Sequence, residues 1–314
     1  MKHSYRLALA LLAMAPLTAC AATPVQPYLG RWDVTLQTPQ RAWSSWLEVR
    51  EEHGQPRVRM VGRWGHARWL PQASIVDGHL RFVSPAAEEG RADDMVFDGV
   101  RAGDELQGTT TGPDGAAWTW RAERAPTLAA AREPRWGKPV RLFGGSDLRA
   151  WQPLNQAAKP WRVVNGVLLS PGGGSDLRSR ARFGDFKLHL EFKAAPGANS
   201  GVYLRGRYEL QIENDREPEA PNMRTAGIYG YLAPSPAAPR TPGVWHRYDV
   251  TLAGRYVTVA LDGKTVIDHQ EIPGITGGAL DSREGEDGPL VLQGSEDGQV
   301  SYRNIVVTPA LRQP

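Results

Sequence analysis

The chain has 314 residues, 23% of them charged and 41% hydrophobic, with a formal net charge of +3. This composition excludes a disordered chain and leaves room for one large core or two ordinary ones. The basic residues are mostly scattered arginines, with no dense run to neutralise a phosphate backbone, which argues against nucleic acid as a partner.

In chain order, MKHSYR is a short positive segment and LALALLAMAPL an apolar run too short to cross a bilayer as a stable helix. The run ends at Leu17-Thr18-Ala19-Cys20, a pattern that resembles the bacterial lipobox, in which the thiol is diacylated and becomes the first mature residue. Residues 1–20 therefore read as a lipoprotein signal peptide, with membrane attachment only through lipid on Cys20. The alternative is an ordinary cleaved signal peptide with a cysteine near its end. Cys20 is the only cysteine, so no intramolecular disulfide can form. Ala21 stands where an Asp would retain the lipoproteins of enteric bacteria in the inner membrane. The expected location is thus the cell envelope, on the outer membrane, facing the periplasm or the surface.

Residues 21–27 read as a tether. From 28 to 125, short β signals recur between Gly, Pro and Asp turns: RWDVTL (31–36), SWLEVREE (45–52), RVRMVGRW (57–64), HLRFVS (79–84), DMVFDGV (94–100), ELQGTTT (105–111) and AWTWRAE (117–123). This spacing, without helical periodicity, predicts a small antiparallel barrel or sandwich. Seven tryptophans fall here: Trp32, Trp43, Trp46, Trp64, Trp69, Trp118 and Trp120. Core and rim packing explains them most simply, and stacking on sugar rings is the alternative.

APTLAAAREPRWGKP breaks the β pattern, so 126–139 reads as a linker before a second all-β unit over 140–310. In FKLHLEFK (186–193), Phe186, Leu188, Leu190 and Phe192 share one face of a strand. Later strands are WHRYDVTLAG (245–254), YVTVALDG (256–263), LVLQG (290–294) and VSYRNIVVTP (300–309). Two packed sheets fit this pattern.

Within this unit, ANSGVYLRGRYELQIEND (198–215) alternates Tyr208, Leu210 and Ile212 with Glu209, Gln211 and Glu213. A three-residue loop at Arg205-Gly206-Arg207 sets Leu204 opposite Tyr208, Tyr203 opposite Glu209 and Val202 opposite Leu210. Apolar groups then line one side, and Tyr203, Glu209, Gln211 and Glu213 the other. A two-residue loop would mix the faces. The polar side is either solvated or the floor of a binding cleft, with Asn199 and Ser200 in the preceding loop.

LFGGSDLRAW, WRVVNGVL, FGDFKLHLEFK, ANSGVYLRGRYELQIEND, GIYGYLAPS, the run 243–294 and YRNIVV fall in order over 140–309. Together they resemble the 3-keto-disaccharide hydrolase (3-keto-glucoside 1,2-lyase/hydratase) family. The resemblance implies a concanavalin-like, jelly-roll β-sandwich with a concave sheet that holds carbohydrate, and a 3-keto-glycoside as substrate. One departure is LQGSEDGQV, which lacks the His that follows LQG in many relatives; Glu296 or Asp297 is the candidate replacement.

A 3-keto-glycoside carries an acidic C–H at C2, removable by a carboxylate if positive charge or a donor stabilises the enolate. The residue types assign Glu191 or Glu209 as base, Arg205 as enolate stabiliser, Gln211 and Gln293 as hydroxyl binders, and Asn199, Tyr203 and Glu213 as further contacts. A direct glycosidase needs two carboxylates about 5–5.5 Å or about 6.5–9.5 Å apart. Glu209 and Glu213 stand four residues apart on one strand, roughly 13 Å. No cofactor is called for, and the acidic segment 281–287 leaves a divalent metal open, although it lacks EF-hand spacing. A non-catalytic carbohydrate-binding lipoprotein is the rival reading.

Overall fold

A computed structural model describes residues 24–311, except 64, 113–114, 129–133, 157, 214–219, 239–240 and 296. The signal segment with Cys20, the ring of Trp64, part of the linker and Glu296 lie outside the described residues.

The first unit contains β1 (Gly30–Gln37), β2 (Ala42–Glu52), β3 (Gln55–Val61), β4 (Arg68–Trp69), β5 (Gln72–Val76), β6 (His79–Ser84), β7 (Met95–Ala102), β8 (Glu105–Thr111) and β9 (Ala117–Arg124). They form one antiparallel sheet in the order β4-β3-β2-β1-β9-β8-β7-β6-β5. β5 returns against β3, so the sheet curls into a barrel. Period-2 alternation sends Trp32, Val34, Leu36, Leu47, Val58, Phe82, Phe97 and Trp120 into one core. Phe82 and Phe97 stack at 4.8 Å within it. The short strands β4 and β5 escaped the sequence reading because their side chains are mostly half-exposed and carry little apolar periodicity. Of the expected tether, 21–23 lie outside the described residues, and Val25 is buried in the barrel core with Tyr28, whose carbonyl accepts a 2.9 Å bond from Trp32 Nε1.

The second unit contains β10 (Val140–Phe143), β11 (Trp151–Pro153), β12 (Arg162–Val164), β13 (Val167–Ser170), β14 (Leu177–Phe183), β15 (Phe186–Ala194), β16 (Asn199–Leu204), β17 (Tyr208–Glu213), β18 (His246–Ala253), β19 (Tyr256–Leu261), β20 (Lys264–Glu271), β21 (Gly288–Leu292) and β22 (Val300–Pro309). An eight-stranded sheet runs β12-β13-β22-β15-β18-β19-β20 with β10 also paired to β22, and a five-stranded sheet runs β11-β14-β21-β16-β17. Phe186, Leu188, Leu190 and Phe192 of one sheet and Val202, Leu204, Leu210 and Ile212 of the other fill the shared core. Each such side chain contributes roughly 1.5–3 kcal/mol on burial. The unit is a concanavalin-like sandwich.

The barrel is docked on the sandwich. Trp46 and Val61, on the outer face of β2 and β3, form a buried cluster with Ala67, Ile275 and Ala279. A Cβ on Gly274 would lie 2.4 Å from the Trp46 ring, and one on Gly230 would lie 2.6 Å from His66 Cβ. Only glycine permits these approaches. Arg31 adds a 2.7 Å ion pair to Glu271, and Arg255 Nη2 donates to the Pro126 carbonyl at 2.9 Å.

Candidate functional site

β16 and β17 pair in the register that alternation demands: Leu204 with Tyr208, Tyr203 with Glu209, Val202 with Leu210, Gly201 with Gln211 and Asn199 with Glu213. The three-residue loop works because Arg205 and Gly206 both adopt positive φ, 54° and 69°. Leu204, Tyr208, Leu210 and Ile212 join the sandwich core. Tyr203, Glu209, Gln211 and Glu213 therefore occupy the outward face of the five-stranded sheet.

Registry across that sheet aligns a row. Arg178 pairs with Val291, Val291 with Tyr203, and Tyr203 with Glu209. Cross-strand partners share a face, so Arg178 and Glu209 stand at the two ends of one polar stripe, three strand spacings or roughly 14 Å apart.

The face is roofed. Glu209, Gln211, Glu213 and Tyr203 are all buried, with Glu209 only 4% exposed. The 226–229 segment runs beside β17, bonding Gln211 N to Gly227 O and Tyr229 N to Glu209 O, each at 3.0 Å. Thr276 Oγ1 accepts from Glu209 N at 3.0 Å. The Tyr203 hydroxyl lies 3.0 Å from Glu209 Oε2 and 2.9 Å from the Gly277 carbonyl, and its one proton serves both acceptors. Burial, then the neighbouring Glu209 charge, push the Tyr203 pKa well up, so this phenol stays a proton donor. Room for the Glu209 side chain comes from Gly201, where a Cβ would lie 2.4 Å from Glu209 Oε1.

Gln293 sits beside this patch, its backbone N bonded to Gly201 O at 2.9 Å. Its Oε1 is buried with no hydrogen-bond partner among the described residues. Asn199 Oδ1 accepts from Gln211 Nε2 at 3.4 Å. Tyr203, Glu209, Gln211, Glu213, Asn199 and Gln293 thus lie together.

Two expected residues lie elsewhere. Glu191 lies on β15 of the other sheet, opposite Arg303, on the alternate face to core residues Leu190 and Phe192. It binds Arg303 Nε at 2.7 Å and Asn304 Nδ2 at 2.6 Å. The Asn304 hydrogen bond first, then Arg303, lower its pKa. Arg205 turns toward the sandwich interior: its guanidinium binds the Gly254 carbonyl at 2.5 Å and the Tyr208 hydroxyl at 3.3 Å. It ties the two sheets together at one end and does not reach the polar stripe.

The sequence reading missed Arg178 and Asp176. Asp176 Oδ1 accepts from Gly294 N at 2.9 Å, which holds the loop after Gln293. Both belong to the second copy of GGSDLR, at 173–178, which repeats 144–149. That repetition was the available signal. In the loop after LQG, Glu296 lies outside the described residues, and Asp297 is exposed.

The acidic segment 281–287 is laced to arginines. Asp281 pairs with Arg207 at 2.7 Å, and Glu284 with Arg255 at 2.7 Å. Glu284 also accepts from the Tyr208 hydroxyl at 2.8 Å. These carboxylates are directed to guanidinium groups, and among the described residues no three His, Cys, Asp or Glu side chains converge as a metal site would require. A cavity of about 1050 Å³ opens at the domain seam, lined by Asp33, Thr35, Gln37, Thr119, Arg121 and Glu284 among others. None of the hairpin's polar residues lines it, and the convergent polar groups favour the hairpin as the site.

Comparison with known proteins covers mainly the second unit. A curated 3-keto-disaccharide hydrolase from Bacteroides thetaiotaomicron is 20% identical over 167 residues, which cover 41% of this chain and 58% of that protein. The chain thus spans less than two thirds of that relative's length. A crystal structure from Parabacteroides distasonis, provisionally described as a glycosyl hydrolase, shares 26% identity at a TM-score of 0.49, covering 64% of this chain and 99% of the other. A second from the same organism shares 21% identity at a TM-score of 0.46, covering 55% and 94%. The family model of the 3-keto-alpha-glucoside-1,2-lyase-like domain matches residues 138–308. That match exceeds half of the sequence, and the chain belongs to this family.

Proposed function

We propose that this protein is a lipid-anchored envelope enzyme that cleaves 3-keto-glycosides by elimination and rehydration, a net hydrolysis. The observation that carries the reading is the Tyr203–Glu209 pair on the outward sheet face of a domain of this family. Glu209 is the base: its carboxylate takes the C2 proton, and the C–H electrons form the enolate with the C3 ketone. The enolate then collapses, C1=C2 forms, and the glycosidic C1–O bond breaks; the aglycone oxygen takes its electrons and the proton held on Glu209, which restores the carboxylate. The Tyr203 hydroxyl, kept protonated by its surroundings, donates a hydrogen bond to the Glu209 carboxylate and holds it in place. Water adding OH to C1 and H to C2 completes the cycle. Gln293, Gln211, Asn199 and Glu213 bind sugar hydroxyls, and Arg178 holds the end of the substrate farthest from Glu209. Cys20 carries the anchor that holds the protein at the outer membrane.

The test is a time course of purified, unlipidated protein with a 3-keto-disaccharide in D₂O, followed by NMR with and without a chelator. Deuterium entering C2 as the disaccharide is cleaved is the expected result. Cleavage without exchange would mean direct hydrolysis, and saturable binding without turnover would mean a carbohydrate-binding lipoprotein. Loss of activity with chelator would add a metal to the scheme.

A further inference from the structure

The proposed chemistry builds negative charge beside Glu209, and neither Arg205 nor Arg178 stands next to it. Arg205 is committed to Gly254 and Tyr208 in the interior. Arg178 stands at the far end of the stripe, roughly 14 Å away across three strand spacings. Another arginine comes to this region from the barrel.

Arg63 follows β3, in the segment that leads to seam residue Ala67. Its carbonyl accepts from Gly278 N at 3.0 Å, and the adjoining Gly277 carbonyl accepts from the Tyr203 hydroxyl at 2.9 Å. Two consecutive glycines therefore connect the Arg63 backbone directly to the acid–base pair. The guanidinium carbon lies 5.7 Å from the Trp43 ring centroid. Burial first, then nearby Arg41, lower its pKa, while Tyr203 and Asp176 act to raise it. The guanidinium is half-buried, and Gly230 and Gly274 let the barrel pack closely on the sandwich at this seam.

We propose that Arg63 is a substrate-facing residue of the site, supplied by the barrel, whose guanidinium stabilises the oxygen that becomes anionic at C3. The inference rests on the function proposed above. It makes the barrel a wall of the site, although the family domain at 138–308 does not include it. Fixed positive charge in a dry site is worth most where charge develops only in the transition state. Arginine suits the task because it stays charged and presents a rigid fork of donors.

The test compares wild type with Arg63→Met and Arg63→Lys in the full chain, following cleavage, C2 exchange, disaccharide affinity and thermal unfolding. Arg63→Met should lower kcat/KM about 100- to 1000-fold. The loss should fall mainly on kcat, with exchange reduced in step and the melting temperature retained. Arg63→Lys should recover about tenfold, which a purely structural role would not produce. Wild-type kcat/KM in Arg63→Met would overturn the inference, as would a loss explained by a lowered melting temperature and not relieved in Arg63→Lys. If wild type binds the disaccharide without cleaving it, the lyase reading falls, and Arg63 is judged by affinity. Weakening of about tenfold or more in Arg63→Met then keeps it in the site, and an unchanged Kd removes it. If wild type neither binds nor cleaves, both readings fall together.

Discussion

Asp33 on β1 of the barrel and Glu284 in the loop before β21 of the sandwich line one cavity at the domain seam, near enough for each carboxyl group to shift the other's pKa. Two neighbouring carboxyl groups disfavour each other's ionisation, and burial adds to this. Burial first, then the Glu284 charge, push Asp33 up to about 8. Glu284 is also raised, mainly by burial and against the opposing pull of Arg255. The docked form thus holds a proton that separated domains would release.

The sign of the pH dependence follows from linkage. Both pKa values are raised on folding, so this pair's contribution is fully present below the ordinary carboxylate range and is lost as pH rises toward about 8. Asp33→Asn supplies an amide donor that needs no proton. It should match wild type near pH 4–5 and exceed it by about 1–2 kcal/mol near pH 8–9, read from thermal melts across pH. Glu284→Gln should do the opposite, costing about 3–5 kcal/mol, because it leaves the buried Arg255 charge without its anion.

Glu209→Gln preserves shape and removes the base. Turnover should fall about 100- to 10,000-fold, with disaccharide affinity and melting temperature close to wild type. Steady-state kinetics beside calorimetric titration would show the split. Full activity in this variant would remove Glu209 from the mechanism.

Gly201→Ala tests the space reserved for that carboxylate, since the new methyl would stand 2.4 Å from Glu209 Oε1. Displacing the base should lower kcat about 100-fold, at a stability cost of about 1–3 kcal/mol. An active Gly201→Ala enzyme would show that the carboxylate works from another position.

Trp46 is fully buried at the seam, edge-on to Tyr231 at 5.9 Å. Trp46→Ala should cost about 3–5 kcal/mol and split barrel and sandwich unfolding into separate calorimetric transitions. One unchanged transition would show that the seam contributes little.

Glu191→Gln should leave turnover unchanged, because Glu191 pairs with Arg303 on the opposite sheet. Its stability cost should be about 1 kcal/mol or less, as for other partly exposed ion pairs. The wild-type advantage should vanish as pH falls through the carboxylate range, since the Glu191 pKa is lowered in the fold. A kinetic defect in this variant would return Glu191 to the site.

Local alternation alone determined much of this protein. The faces of Phe186–Ala194, the three-residue turn at Arg205 and the register that sets Tyr203 against Glu209 all follow from period-2 geometry, which needs no knowledge of distant segments. The same reasoning left Glu191 and Glu209 as alternative bases, because which strands share a sheet depends on pairing between remote segments. It also could not show that Arg205 turns inward, since that direction is set by the Gly254 carbonyl, contributed by a turn of the other sheet. Tertiary structure alone decided that Arg178, Val291, Tyr203 and Glu209 form one row, that the barrel docks through Trp46 on Gly274, and that Arg63 arrives beside Gly278. Strand pairing between remote segments of one sheet makes the row, and the packing of the two β units against one another makes the other two contacts.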